Sequence, residues 1–276
     1  MAQPPILILH SSGTNRDGDA AQAIRLAGGV PHIVHLNHLR RGDVQINDHA
    51  ALLIPGGFSY ADALGAGQRL ALELRLWFGE AVAELVSRGK PVLGICNGFQ
   101  ALVRAGLLPG PFEPNTHVVN RQVTLTENAN GLFECRWVTL RVEPTVRSSW
   151  LQPLKDTLIR CPVAHGEGRF VTSSDDLTQE LQTSGLVAFR YQTPTTQPTQ
   201  PTQPTSACPQ SSDARGLYPA NPNGSVADIA GICDRSGAVV GLMPHPENHV
   251  FDWQRPHGAV GGSGLALFEA LVEAAK

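Results

Sequence analysis

The fold is decided by Val92-Leu93-Gly94-Ile95-Cys96-Asn97-Gly98-Phe99-Gln100. An apolar run of β-forming residues passes directly into Gly-x-Cys-x-Gly and then into a segment of helical composition, residues 98–105. A strand that turns sharply into a helix, with a nucleophile at the turn, is a nucleophile elbow. Because the chain turns back at Cys96, the residues two positions away must be small, and Gly94 and Gly98 meet this requirement. The stretch predicts that Cys96 lies where a strand ends above a sheet.

The sequence on either side of this stretch alternates between strand-like and helix-like segments. Strands are predicted at residues 6–9, 31–36, 51–54, 91–95, 122–125, 135–142, 186–191 and 238–243, and helices at 19–27, 70–88, 98–105 and 265–275. Strands that alternate with helices favour a parallel sheet covered on both faces. No linker separates the two halves, so residues 1–276 are predicted to form a single α/β domain with a mostly parallel central sheet.

One segment differs sharply in composition from the rest. Residues 192–215 are rich in Thr, Gln, Pro and Ser, and Thr-Gln-Pro repeats between Thr196 and Pro204. Because the segment has little apolar surface to bury, it cannot offset the conformational entropy that it would lose on becoming ordered. A flexible insertion is therefore predicted. A partner-binding arm in polyproline II conformation is the alternative. The repeat lacks aromatic or charged anchor residues, which favours the insertion.

The composition excludes several classes of function. Apolar residues make up 42% and charged residues 16% of the 276 residues, and the formal net charge is -3. These values are typical of a soluble globular protein and disfavour nucleic acid or an anionic membrane as the main partner. No apolar run is long enough to span a membrane, and the N-terminal segment lacks the features of a signal peptide. Five cysteines without a CxxC pair indicate neither a disulfide framework nor a zinc site, so a cytoplasmic location and no bound metal are predicted.

Cys96 is the candidate nucleophile. At a helix N-terminus, the helix dipole and the free N–H groups favour a thiolate. The N–H of Asn97 would point towards the oxyanion that forms on an attacked carbonyl. The alternative is an ordinary buried cysteine, since buried free cysteines are common.

His245 and Glu247 are the candidate base and its orienting group. They lie in Gly241-Leu242-Met243-Pro244-His245-Pro246-Glu247, directly after an apolar run. The spacing of two residues allows Glu247 to fold back onto the imidazole of His245 and to fix its tautomer, which would complete a triad with Cys96. The alternative is that His245 only caps a turn.

A glycine-rich loop offers a second donor for the oxyanion. Pro55-Gly56-Gly57-Phe58-Ser59-Tyr60 follows the third predicted strand, and glycine permits a backbone that directs N–H groups into a pocket. Alone, this stretch would be a plain turn. The Cys96 segment, the His245 segment and this glycine-rich loop each follow the end of a predicted strand. Ligands of open parallel sheets bind at the carboxyl ends of the strands, so the three segments together favour a single active site.

These residues resemble the class I glutamine amidotransferases, and more specifically the glutaminase subunits of phosphoribosylformylglycinamidine synthases. The similarity rests on six stretches that span almost the whole chain outside the insertion: residues 55–62, 94–100, 135–138, 164–168, 221–225 and 243–247. Gly-Phe-Ser-Tyr and Asn-Pro-Asn-Gly-Ser are typical of this subfamily. The resemblance implies a Rossmann-like, flavodoxin-like domain that hydrolyses glutamine.

The resemblance also implies roles for individual residues. Cys96 would attack the glutamine amide, and His245, oriented by Glu247, would protonate the leaving ammonia and then activate water. Backbone N–H groups near Gly57 and Asn97 would form the oxyanion hole. The remaining assignments are glutamine binding by Phe58, Ser59 and Gln100, and a place near the site or a partner interface for His165 and Glu167.

The implied partners are a large synthetase subunit, to which ammonia passes, and in many species a small bridging subunit. ATP and Mg would bind the synthetase, and no cofactor is expected in this chain, which has no Gly-x-x-x-x-Gly-Lys phosphate loop. Two substitutions depart from the family pattern: Ala61 replaces a glycine, and Asn248 replaces an arginine. The Thr-Gln-Pro insertion is additional, and residues 249–262 form a longer and more polar stretch than the family pattern has. Two rivals remain, a stand-alone cysteine hydrolase of the same fold and a non-catalytic protein with a reactive cysteine.

Overall fold

The computed structural model describes residues 3–114, 122–193, 212–256 and 261–276. Within them the strands are β1 (Pro5–His10), β2 (Val30–His35), β3 (Ala51–Ile54), β4 (Val92–Ile95), β5 (Val123–Thr126), β6 (Glu134–Val142), β7 (Leu158–His165), β8 (Arg169–Thr172), β9 (Val187–Thr193), β10 (Ser212–Asp213), β11 (Ile229–Cys233) and β12 (Val239–Leu242). The helices are α1 (Asp17–Leu26), α2 (Leu36–Arg41), α3 (Gln68–Ser87), α4 (Asn97–Ala105), α5 (Asp175–Thr183) and α6 (Leu265–Ala274).

A large central sheet organises these elements. Its order is β2-β1-β3-β4-β12-β11-β9-β6-β7, with β10 paired to β9, while β5 and β8 form a separate antiparallel pair. The five strands from β2 to β12 are parallel to one another, and the strands beyond β12 continue the sheet in antiparallel fashion. The predicted α/β class and its parallel core are confirmed.

The core strands are apolar on both faces because helices cover them. All four residues of β3, β4 and β12 are buried. Helices α1 and α6 pack together, as do α3 and α4, and α4 also contacts β4 and β12. Continuous apolar runs of this kind are typical of strands buried on both faces, and they predicted β3 and β4 closely.

Several elements differ from the prediction. Helices α2 and α5 and strands β7, β8 and β11 were not predicted. Both ends of the predicted insertion lie in the sheet, where Gln192 is fully buried and pairs with Asp213. Most of the insertion, including the Thr-Gln-Pro repeat, lies outside the described residues. None of the described helices has the length and apolar character needed to cross a membrane.

Candidate active site

Cys96 occupies the turn between β4 and α4. Its φ of 50° and ψ of −106° put a non-glycine residue on the positive-φ side, as a nucleophile elbow requires. The two flanking glycines are needed for close packing: a Cβ at Gly98 would lie 2.0 Å from the carbonyl oxygen of Ile54, and one at Gly94 would lie 2.5 Å from the Leu102 side chain. The predicted elbow and its need for small neighbours are therefore present.

His245 reaches Cys96 because β12 lies beside β4. The two strands are parallel and Leu242 is in register with Ile95, so the residues that follow them emerge at the same edge of the sheet. The Nδ1 atom of His245 lies 2.7 Å from Oε1 of Glu247. The His245 and Cys96 side chains both pack against Gly56, where an added Cβ would lie 2.7 Å from Cε1 of His245 and 3.4 Å from Cβ of Cys96, while Sγ of Cys96 donates to the carbonyl of Ala164 at 3.8 Å. The structure thus brings the three predicted triad residues together, all of them buried.

Charge in this buried cluster favours the protonated form of His245. Burial alone lowers the pKa of His245, but the carboxylate of Glu247 and then the sulfur of Cys96 outweigh it and raise that pKa above its ordinary value. The arrangement is that of a cysteine hydrolase in which the base already holds the proton that the leaving group requires.

The glycine-rich loop after β3 is fastened beside Cys96. Gly57 has a φ of 138°, and a Cβ there would lie 2.8 Å from the backbone nitrogen of Asn15. The N–H of Phe58 donates to the carbonyl of Gly13, and the N–H of Ser59 donates to the side-chain oxygen of Asn97 at 3.2 Å. The side chain of Asn97 therefore ties this loop to the first turn of the nucleophile helix.

A cavity of about 150 Å³ opens above the nucleophile. Its lining includes Cys96 and Gly57, together with the predicted substrate residues Phe58 and Gln100. His165 and Glu167, which were predicted to lie near the site or a partner interface, also line this cavity. Ser59 does not line this cavity; it is buried behind it, where its N–H contacts Asn97.

Comparison with known proteins places this geometry in a family. Residues 3–273 match the family model of the CobB/CobQ-like glutamine amidotransferase domain. The chain belongs to this family. Among the amidotransferase relatives, the "Phosphoribosylformylglycinamidine synthase subunit PurQ" of Treponema denticola is 48% identical over 254 residues, which cover 90% of this chain and 89% of the relative. The protein of the same name from Dehalococcoides mccartyi is 37% identical over 281 residues, covering 100% and 99%.

Two solved structures share the fold of this chain. A chain in "Structure of PurLQS from Thermotoga maritima" superposes with a TM-score of 0.69 at 30% identity, covering all of both chains. A putative GMP synthase component from Thermoplasma acidophilum shares the fold, with a TM-score of 0.51 at 13% identity over 100% of this chain and 95% of that one. Within the family, this chain is therefore a PurQ-type amidotransferase.

Several site residues of this amidotransferase were missed by sequence reasoning. Asp62 accepts a hydrogen bond from Nδ2 of Asn97 at 3.0 Å. Asp62, Phe133 and Ala164 all line the cavity. Burial raises the pKa of Asp62, although the Asn97 hydrogen bond opposes the shift. Asp62 is the last residue of the 55–62 stretch that carries the family resemblance, and that stretch could have indicated it. Phenylalanine and alanine are residue types that do not indicate chemistry, so Phe133 and Ala164 could not be predicted in this way.

The two substitutions that depart from the family pattern have clear local settings. Asn248 donates from Nδ2 to Asp19 at 2.9 Å, so a neutral amide contacts α1 at the position of the usual arginine. Ala61 has a φ of 53° between Tyr60 and Asp62, which also have positive φ. No group of three or more His, Cys, Asp or Glu side chains suited to a metal ion occurs within the described ranges.

Restoring the glycine at position 61 should stabilise the protein. A left-handed backbone strains any residue with a Cβ, so Ala61→Gly is expected to raise the free energy of unfolding by about 0.5–1 kcal/mol, after allowing for the more flexible unfolded chain. Denaturant unfolding measures this change. The matched control is Ala63→Gly, because the ordinary φ of −55° at Ala63 offers no strain to relieve. Equal effects of the two substitutions would show that the backbone at Ala61 is not strained.

Proposed function

We propose that the chain is the glutaminase subunit of a phosphoribosylformylglycinamidine synthase. It hydrolyses glutamine to glutamate and ammonia, and it delivers the ammonia to an ATP-dependent synthetase subunit that makes formylglycinamidine ribonucleotide in purine biosynthesis in the cytoplasm. The observation that carries the proposal is the buried Cys96–His245–Glu247 cluster, whose cysteine lines a cavity, in a chain 48% identical to a subunit of that name. ATP and Mg belong to the synthetase, and a small bridging subunit is the second expected partner.

The first half of the reaction forms a thioester. The sulfur of Cys96 attacks the side-chain carbonyl carbon of glutamine, and the carbonyl electrons move onto oxygen. Backbone N–H groups at Gly57 and Asn97 stabilise this oxyanion. Since Nδ1 of His245 faces Glu247, Nε2 of the same ring donates the proton to the leaving nitrogen. The C–N bond breaks, ammonia departs, and a γ-glutamyl thioester remains on Cys96.

The second half returns the enzyme to its starting state. His245, now neutral, takes a proton from water, and the hydroxide attacks the thioester carbonyl. The same oxyanion donors act again, the C–S bond breaks, and glutamate leaves. Glu247 orients His245 through the contact with Nδ1 and stabilises the imidazolium.

The cavity wall supplies the substrate contacts in this proposal. Phe58 packs against the carbon chain of glutamine, and Gln100 and the Ser59 segment shape the polar end. Gln100 is held by its own donation from Nε2 to the carbonyl of Glu167 at 2.7 Å, and Glu167 in turn pairs with Arg104. These contacts hold Gln100 and Glu167 in place in the cavity wall, and none of them involves a triad residue.

Partner binding is expected to raise the rate of glutamine hydrolysis. Ammonia released by an isolated subunit is lost, so an oxyanion hole that is completed only on partner binding prevents waste. The Gly56-Gly57 loop is the part expected to move, because glycine allows a peptide to reorient at low cost. Glutaminase turnover should therefore be low for the isolated chain and rise about tenfold or more with the synthetase and its ligands.

The measurement is glutamate release with and without the purified synthetase subunit. A matched control is serum albumin at equal mass, which excludes simple stabilisation at low concentration. Equal rates under all conditions would rule out activation by the partner and favour a stand-alone cysteine hydrolase.

A further inference from the structure

His165 is a buried histidine in the candidate site without a place in the reaction above. It ends β7, lines the substrate cavity and is 3% exposed. Its ring has little freedom, since a Cβ at Gly168 would lie 2.2 Å from its Cε1 atom. Because this second imidazole lies close to the catalytic cluster, it matters which of its two ring nitrogens carries a hydrogen.

Asn128 decides the state of Nδ1. The amide of Asn128 has a fixed orientation, because its Nδ2 donates to the carbonyls of Leu132 at 2.8 Å and of His165 at 2.9 Å. Its Oδ1, which also accepts from the N–H of Gly168, therefore faces Nδ1 of His165 at 3.1 Å. An oxygen that can only accept requires that Nδ1 carry the hydrogen.

Asn223 decides the state of Nε2. Its Oδ1 accepts from both the N–H and the hydroxyl of Ser225, so its amide orientation is also fixed. Its Nδ2 donates to the carbonyl of Gly168 at 2.8 Å and to the hydroxyl of Tyr191 at 3.1 Å, and it lies 3.5 Å from Nε2 of His165. A group that can only donate disfavours a hydrogen on Nε2.

We propose that Asn128 and Asn223 are positioning residues that hold His165 as an uncharged imidazole with its hydrogen on Nδ1, which leaves His245 to carry the catalytic proton. The inference rests on the proposed function. A second imidazolium here would repel the one at His245. Asn223 belongs to the Asn-Pro-Asn-Gly-Ser stretch, which has no part in the reaction scheme. Holding His165 neutral gives this stretch a role.

The charged and titratable groups around His165 agree with a neutral ring. Burial and then the charge of His245 lower the pKa of His165 to about 3. Glu134 on β6 lies opposite His165 in the sheet register, but Arg136 and Asn130 bind its carboxylate. The other facing groups are Tyr191 on β9, whose pKa burial raises, and three groups in the shared cavity: Glu167, which pairs with Arg104, Asp62, which accepts from Asn97, and the Cys96 sulfur.

The direct test is nitrogen NMR of the full-length chain with labelled histidine. The His165 resonances are assigned by their loss in His165→Gln. We expect a protonated Nδ1 and an unprotonated Nε2 that stay unchanged between about pH 5 and pH 8, where ordinary histidines titrate. A hydrogen on Nε2, or titration within that range, would overturn the proposal. This readout needs no turnover, so a chain without glutaminase activity would refute the proposed function alone.

The kinetic test is Asn223→Asp, measured in the complex with the synthetase. A carboxylate oxygen beside Nε2 should draw a proton onto His165, and the new cation should lower the pKa of His245. The basic limb of the kcat/KM profile for glutamine should then move about one unit to lower pH. Asn37→Asp is the matched control, since it adds the same carboxylate at an exposed position of α2 and should leave both limbs in place. Coinciding profiles for the two variants would contradict the proposal.

Discussion

Replacing Cys96 with alanine should lower glutamine-dependent synthesis by the complex on the order of a thousandfold or more, while ammonia-dependent synthesis continues. The thiol is the group that forms the thioester, and no other side chain can take over bond formation, so the loss should be as large as for other catalytic nucleophiles. The synthetase does not use the thiol, and external ammonia bypasses it. Both activities are measured on one preparation as product formed from glutamine or from ammonium chloride.

The matched control is Cys135→Ala, because Cys135 is an exposed thiol on β6 that does not line the cavity. This variant should retain both activities. Glutaminase activity of Cys96→Ala within about tenfold of the parent would refute the assigned nucleophile. Loss of both activities would instead indicate that the complex fails to assemble.

His245→Ala should be nearly as damaging as loss of the nucleophile, and Glu247→Gln should cost roughly one to two orders of magnitude less. His245 moves the proton in both half-reactions, whereas Glu247 only fixes the ring through its 2.7 Å contact with Nδ1. Single-turnover measurements of thioester formation and decay separate the two steps, and both steps should slow for His245→Ala.

The control for these variants is His38→Ala, an exposed histidine on α2 that contacts Asp43 and Arg41. It should hydrolyse glutamine at the parent rate. If Glu247→Gln were as inactive as His245→Ala, the carboxylate would have a larger part in the chemistry than orientation.

The sequence revealed the triad because each of its members follows a recognisable strand. The elbow needs small residues at fixed spacing, and the Pro-flanked His245 follows an apolar run, so both signals are local. The tie from Asn97 to Ser59 and the pair Asn128 and Asn223 around His165 are contacts between segments far apart in the chain. Asparagine occurs in many turns, so its residue type alone predicts no such contact.

The missed elements also have physical reasons. Pro162 lies within β7 and argues against a strand, yet β7 is the last strand of the sheet, where a missing N–H is tolerated. Helix α5 did carry a signal, since Ser174 caps it and Asp175 and Asp176 fill its first turn, but its apolar pattern is short. Strand β11, buried at every residue, lacks the alternation that distinguishes a strand from a short buried helix.

The position of β12 has a consequence for the order in which the protein matures. This strand inserts between β4 and β11, although β4 and β12 are separated by most of the chain. Until β12 has left the ribosome, β4 has an open edge, and such an edge invites pairing with other chains. The nucleophile elbow can form early from local sequence, but it gains its base only when this late strand docks. A growing polypeptide is therefore inert towards glutamine until β12 and His245 have been made and have docked beside β4, and its vulnerable period for aggregation covers the same interval.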